Sequence, residues 1–157
     1  MSTALQDDVR HVSREQYLEL MSELYSSGYK VCIDVTAVDY LEAMTDRVLP
    51  DGVVGERFEV VVNLLSHADR HRVRVRVQVP ETEPEMPSLY DYYPGTEAME
   101  REVYDLMGIR FSNHPDPTRI LMPEDWEGHP LRKDYAQGRI PVAFKYTQGK
   151  YSAEDRP

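Results

Sequence analysis

At 157 residues, with 41% hydrophobic and 29% charged content, the chain has the composition of one globular domain, large enough to bury roughly 70% of its unfolded surface. A net charge of −10, from 18 basic against 28 acidic residues, opposes binding to phosphate backbones or to anionic lipid headgroups. Cys32 is the only cysteine, which excludes a disulfide framework and a thiolate metal cluster, and no apolar run approaches the roughly 20 residues that span a bilayer.

The N-terminal stretch MSTALQDDVRHVS has neither a basic start nor an apolar segment, so no secretory leader is expected and the cytosol is the default compartment. A first helix is marked by Ser13 as N-cap with Gln16 closing a capping box. Tyr17, Leu18, Met21, Leu24 and Tyr25 form its apolar stripe and Gly28 ends it. A strand follows at about Val31 to Val38, with Val31, Ile33 and Val35 on one face and Cys32, an inert small apolar residue, on the other. Asp39 to Gly55 contains Pro50-Asp51-Gly52 and reads as a long hairpin connection or a mobile loop.

Arg57 to Ser66 is predicted as a second strand, and Val60-Val61-Val62 with Leu64-Leu65 suggests burial on both faces. His67 to Arg70 makes the turn. Arg70 to Val79 is the third strand, with Val73, Val75, Val77 and Val79 alternating with Arg72, Arg74, Arg76 and Gln78. The arginine stripe is read as a solvated strand face or one paired with the many acids, because no aromatic residues interleave with it to stack bases. Glu81 to Pro87 is a loop, and the three tyrosines of Ser88 to Tyr93 fit either a helical turn or a short strand.

The densest chemistry lies between Glu100 and Tyr135, EREVYDLMGIRFSNHPDPTRILMPEDWEGHPLRKDY. A second helix is predicted over Thr96 to Met107, opened by Pro94-Gly95 and closed by Gly108, with Met99, Val103, Leu106 and Met107 as its buried stripe. That stripe leaves Glu100, Arg101, Glu102 and Asp105 for the helix's other faces. Ile109 and Phe111 alternate around Arg110 like a strand, which Pro115 and Pro117 then terminate. Met122 to Tyr135 holds the only tryptophan, Trp126, and the cluster Arg132-Lys133-Asp134, with almost no regular structure. The expected architecture is α+β: an antiparallel sheet of three to four strands packed by two amphipathic helices, followed by a long irregular C-terminal arm. Residues 1–135 form one domain and 136–157 an extension without a convincing period.

The same residues carry a resemblance. EREVYD, GIRF, HPD, RIL and GHPLRKD, in this order and spacing, resemble the signature of the 30 kDa subunit family of respiratory complex I, the proton-pumping NADH:quinone oxidoreductase. The chain departs from that pattern at Pro117-Thr118, where the family usually has a leucine and a basic residue. The resemblance implies an accessory core subunit of the peripheral arm that itself holds no flavin, cluster or quinone. FMN, iron–sulfur clusters and quinone are then expected on partner subunits. It implies packing against the large hydrogenase-like quinone-site subunit, beside the subunit of the terminal iron–sulfur cluster, at the cytoplasmic face of the cell membrane. Membrane contact would come only through those partners. Glu100, Arg101, Glu102, Asp105, His114, Asp116, Arg119, Trp126, His129, Arg132, Lys133 and Asp134 become candidates for the partner interface, the charges as fixed ion pairs and Trp126 as an apolar anchor. The alternatives are the same module in a membrane-bound hydrogenase-type complex, or a stand-alone metal-dependent hydrolase built on His114, Asp116 and His129. The spacing of those three matches no zinc pattern. A carboxylate pair at Glu100 and Glu102 would sit about 200° apart on a helix, which prevents joint action on one atom.

Overall fold

A computed structural model describes residues 8–136. The elements run β1 (Asp8–Val12), α1 (Tyr17–Ser26), β2 (Val31–Asp39), β3 (Phe58–Ser66), β4 (His71–Val79), β5 (Glu85–Pro87), a 3₁₀ turn (Pro94–Thr96), α2 (Glu97–Met107) and β6 (Arg110–Ser112). The class is the expected α+β. The four-stranded sheet has the order β1-β4-β3-β2. Its β2–β3 and β3–β4 pairs are antiparallel as expected, but the sheet is mixed, because β1 joins β4 in parallel with Asp8 opposite Val73. β1 and β2 therefore run the same way on opposite edges, joined by α1, with the β3–β4 hairpin inserted between them. Sequence reasoning missed β1 because Asp-Val-Arg-His-Val offers too few apolar residues to set a period, as short polar edge strands do. β5 and β6 form a separate two-stranded parallel ladder, so part of the stretch read as the Glu81–Pro87 loop is strand.

One face of the sheet meets both helices. Tyr17, Met21 and Leu24 of α1 and Val103 of α2 pack with Val60, Val62 and Leu64 of β3 and with Val73 to Val79 of β4. Leu18, placed on the α1 stripe by its spacing, is exposed instead. α1 begins only at Tyr17, after a turn in which Ser13 Oγ accepts the Gln16 N–H at 3.4 Å without forming the expected cap. On β2 the anticipated face of Val31, Ile33 and Val35 is split. The register shifts between Cys32 and Asp34, so Val31 and Ile33 are exposed while Cys32 packs against the core on the side of Val35 and Ala37. Burial pushes the Cys32 thiol up to about 12, which keeps it protonated.

The opposite face is polar and tightly bonded. Glu59 is fully buried there and accepts from Arg47 at 2.7 Å, from Arg76 and from Gln78. Arg76 is thus paired with an acid, while Arg74 is exposed and donates to Asn63, so the arginine stripe is part paired and part solvated. No helix among the described residues is long and apolar enough to cross a membrane. The arm proposed for 136–157 lies, apart from Ala136, outside the described residues.

Candidate functional site

α2 is the frame on which the C-terminal third is hung. Its charges do not all face outward as the apolar stripe implied: Glu100 and Asp105 are completely buried. The reason is that a buried carboxylate can organise an irregular chain by accepting several backbone N–H groups, which an apolar side chain cannot. Asp105 Oδ2 accepts the N–H groups of Ile120, Leu121 and Met122 at 3.1, 2.7 and 2.8 Å, and its Oδ1 takes Arg119 Nη1 at 2.7 Å. Burial alone would raise its pKa. The surrounding N–H groups and Arg119 outweigh that and hold the carboxyl below its ordinary value.

Glu100 does the same for the chain ahead of α2, accepting Ser88 Oγ at 2.6 Å and the Leu89 N–H at 2.7 Å. Here burial dominates and the carboxyl is shifted upward. His114 Nε2 lies 3.9 Å from it.

The C-terminal end of α2 is closed from outside. A helix leaves its last carbonyls unpaired, and three of them are met by one short stretch. His129 Nδ1 donates to Asp105 O at 2.9 Å, the Leu131 N–H to Leu106 O at 3.0 Å and Arg132 Nε to Met107 O at 2.7 Å. Because a carbonyl only accepts, His129 carries its proton on Nδ1. Burial, against the bond to Asp105, keeps the ring below its usual pKa. Arg132 also places a cation at the negative end of the helix. Gly108 ends α2 at φ 74°, and a Cβ there would stand 2.5 Å from His129 Cδ2 and 2.8 Å from Arg132 Nη2. Only glycine fits on both counts.

Two further ties complete the clamp. Arg101 donates to the carbonyls of Thr118 and Arg119 and to Thr118 Oγ1, and lies 3.4 Å from Asp116. Thr118 in turn donates to Asp116 Oδ1 at 2.8 Å. The departure at Pro117-Thr118 is thus absorbed by a threonine that bridges the turn's acid and its arginine.

At the other end, Arg57 is buried between Asp39 and Asp134 with two contacts to each, and it also reaches Glu81. The Asp134 and Asp39 carboxylates hold the guanidinium above its ordinary pKa. Asp39 additionally accepts the Lys133 N–H at 2.9 Å. The sequence reading overlooked both Asp39 and Arg57. Their only signal was a pair of opposite charges flanking a long loop.

The candidate residues now divide. Glu100, Arg101, Asp105, His114, Asp116, Arg119, His129, Arg132 and Asp134 are engaged with this chain's own groups. Both histidines fix backbone: His114 Nε2 donates to Glu97 O while its Nδ1 accepts the Asp116 N–H, so neither nitrogen is left for a ligand. Among the described residues no group of three His, Cys, Asp or Glu side chains is placed to hold a metal ion. Glu102 and Lys133 are exposed, as is Trp126 at 41%, together with Ile120, Leu121 and Leu131 on the same clamped segment.

The family model described as "Respiratory-chain NADH dehydrogenase, 30 Kd subunit" matches residues 10–140. The chain belongs to this family. An NADH-quinone oxidoreductase subunit from Roseiflexus castenholzii is 54% identical over 97 residues, covering 62% of this chain and 56% of the relative. The NADH-quinone oxidoreductase subunit 5 of Thermus thermophilus is 42% identical over 143 residues, covering 88% of this chain and 65% of the relative. The chain thus spans between 56% and 65% of the length of these two relatives. A solved trypsin-resistant fragment of Nqo5 superposes with a TM-score of 0.60 at 36% identity, over 69% of this chain and 80% of that one. A chain of an archaeal membrane-bound sulfane sulfur reductase gives a TM-score of 0.69 at 22% identity, covering 87% and 77%, a likeness of fold alone. The matched range contains the stretch from EREVYD to GHPLRKD, which holds the Asp105 and Arg132 clamp described above.

Proposed function

We propose that this chain is a docking subunit of the peripheral arm of an NADH-quinone oxidoreductase and carries no flavin, iron–sulfur cluster or quinone of its own. Electron transfer from NADH to quinone then belongs to its partners, with FMN and clusters on other chains. The segment from His114 to Tyr135 meets the large hydrogenase-like quinone-site subunit, beside the subunit of the terminal cluster, on the cytoplasmic face of the membrane. One observation carries this reading: a stretch without regular structure is immobilised by buried charges, while Trp126, Leu121 and Leu131 are left outside. A rigid apolar display loses little conformational entropy on association, and tryptophan is a frequent anchor in such contacts.

The test separates display from clamp. Changing Arg132 would uncap α2 and unsettle the domain, so it is unsuitable. Trp126→Ala combined with Lys133→Glu alters only exposed groups. Tagged chains are recovered by gentle detergent extraction and sized in native form. The double variant is expected to fold with an unchanged Tm yet to leave the large assembly. Normal incorporation of the variant overturns the interface. Co-purification with a nickel-containing large subunit would move the assignment to the hydrogenase-type relative.

A further inference from the structure

Apart from its root Arg57, the loop between β2 and β3, residues 40–57, takes no part in the clamp. It is stiff nonetheless. Arg47 folds inward at the middle of the loop, stacks 3.6 Å from the Tyr40 ring and donates to Glu59, Gln78 and the Glu56 carbonyl. Leu49 lies so close to Gly55 that a Cβ there would approach its Cδ1 to 3.0 Å, so the two limbs meet above that anchor. Both roots, Asp39 and Arg57, are held together by a buried ion pair at 2.9 Å.

This stiff loop carries the wrong side chains for a solvated connection. Val48 is 96% exposed and Val54 76%, with Leu41 and Met44 also outside. Single exposed apolar residues are ordinary, but four on one pinned loop are a display. Its charge is one-sided as well. Its two basic residues are spent inward, Arg47 on Glu59 and Arg57 on Asp39, while Glu42, Asp46 and Asp51 face solvent.

Beside the second limb runs a groove of about 490 Å³ between Val53–Val54 and the segment His11–Gln16. Arg14 at its wall is already taken by Glu83, leaving Glu15 and Glu56. His11, whose buried Nδ1 has no hydrogen-bond partner, also lines it. Burial and then Arg76 hold that ring below its usual pKa. A buried polar atom without a partner is uncommon.

We propose that the 40–57 loop is a second docking surface, which inserts Val48 and Val54 into an apolar cleft rimmed by lysine or arginine on another subunit of the same assembly. The inference rests on the reading of this chain as a docking subunit. Charge complementarity selects the occupant: three uncompensated carboxylates around apolar tips repel an anionic lipid surface and an acidic partner, and attract a basic one. The groove beside Val54 then receives a side chain of that partner.

Photo-crosslinking in the intact, purified complex tests this, with p-benzoylphenylalanine placed in turn at Val48, Val54 and Trp126. Irradiation is expected to join the Val48 or Val54 probe to another subunit through a peptide bearing Lys or Arg beside apolar residues. Asp46→Lys with Asp51→Lys is expected to abolish that crosslink. A product at Trp126 with none at Val48 and Val54, or products there only with lipid or with an acidic peptide, overturns the second surface and leaves the first reading standing. No inter-subunit product at any of the three positions overturns both.

Discussion

Asp105 shows how one carboxylate can substitute for secondary structure. Three consecutive N–H groups converge on one oxygen and Arg119 occupies the other. Asp105→Asn keeps the volume but turns the accepting centre into a group that also donates, toward N–H groups that cannot receive it. The expected cost is about 1.5–3 kcal/mol, the range for hydrogen bonds to a charged partner, read from denaturant midpoints. The pH dependence follows from the direction of the shift. A folded-state pKa held below the ordinary 3.8 contributes stability that is fully present above that value and is lost as pH falls through the folded one. Acid titration of stability below about pH 4 should therefore be shallower in Asp105→Asn than in the parent chain. This role was invisible in the sequence. An aspartate on a helical polar face looks the same whether it points to water or to a neighbouring loop, and only the path of residues 119–122 decides between them.

At the scale of elements, α2 was legible and its surroundings were not. Apolar spacing, Pro94-Gly95 and Gly108 set the helix within a residue of where it lies. β4 was equally plain, because strict alternation has few other solutions, and β3 was marked by its run of valines and leucines. The bulge on β2 could not be read, since inserting one residue reverses every later face while leaving the composition untouched. The closed end of α2 yields its own prediction. Gly108→Ala must adopt a left-handed backbone and also displace the His129 ring and Arg132. A loss of about 2 kcal/mol or more is expected. Amide exchange should rise at Leu131 and at Ile120 to Met122, because both ties run through the last turn of the helix. Loss of stability with exchange unchanged at those amides would show that the two ends of the clamp act separately.

For the whole molecule, Arg57 is the junction. It joins the end of β2, the start of β3 and the C-terminal segment through Asp39, Glu81 and Asp134. Replacing it with methionine leaves the buried Asp39 carboxylate without its cation, a loss of the kind that costs about 3–5 kcal/mol. Limited proteolysis should then cut near Leu131 to Tyr135, a region protected in the parent chain by the Lys133 N–H and Asp134 ties. Unchanged digestion would mean that the cap on α2 suffices to hold the segment.

The parallel pairing of β1 has a consequence for the order in which the chain is completed. β1 is made before the other described elements, yet its partner β4 lies beyond α1, β2, the long loop and β3. The antiparallel neighbours β2, β3 and β4 can zip together by successive turns, each closing on a segment already in place. β1 must instead wait and close a ring of chain that includes all of them, an entropic cost met only after the sheet exists. β1 is therefore expected to dock last and to peel away first on unfolding, so that the sheet's own edge would act as a latch on an otherwise finished domain.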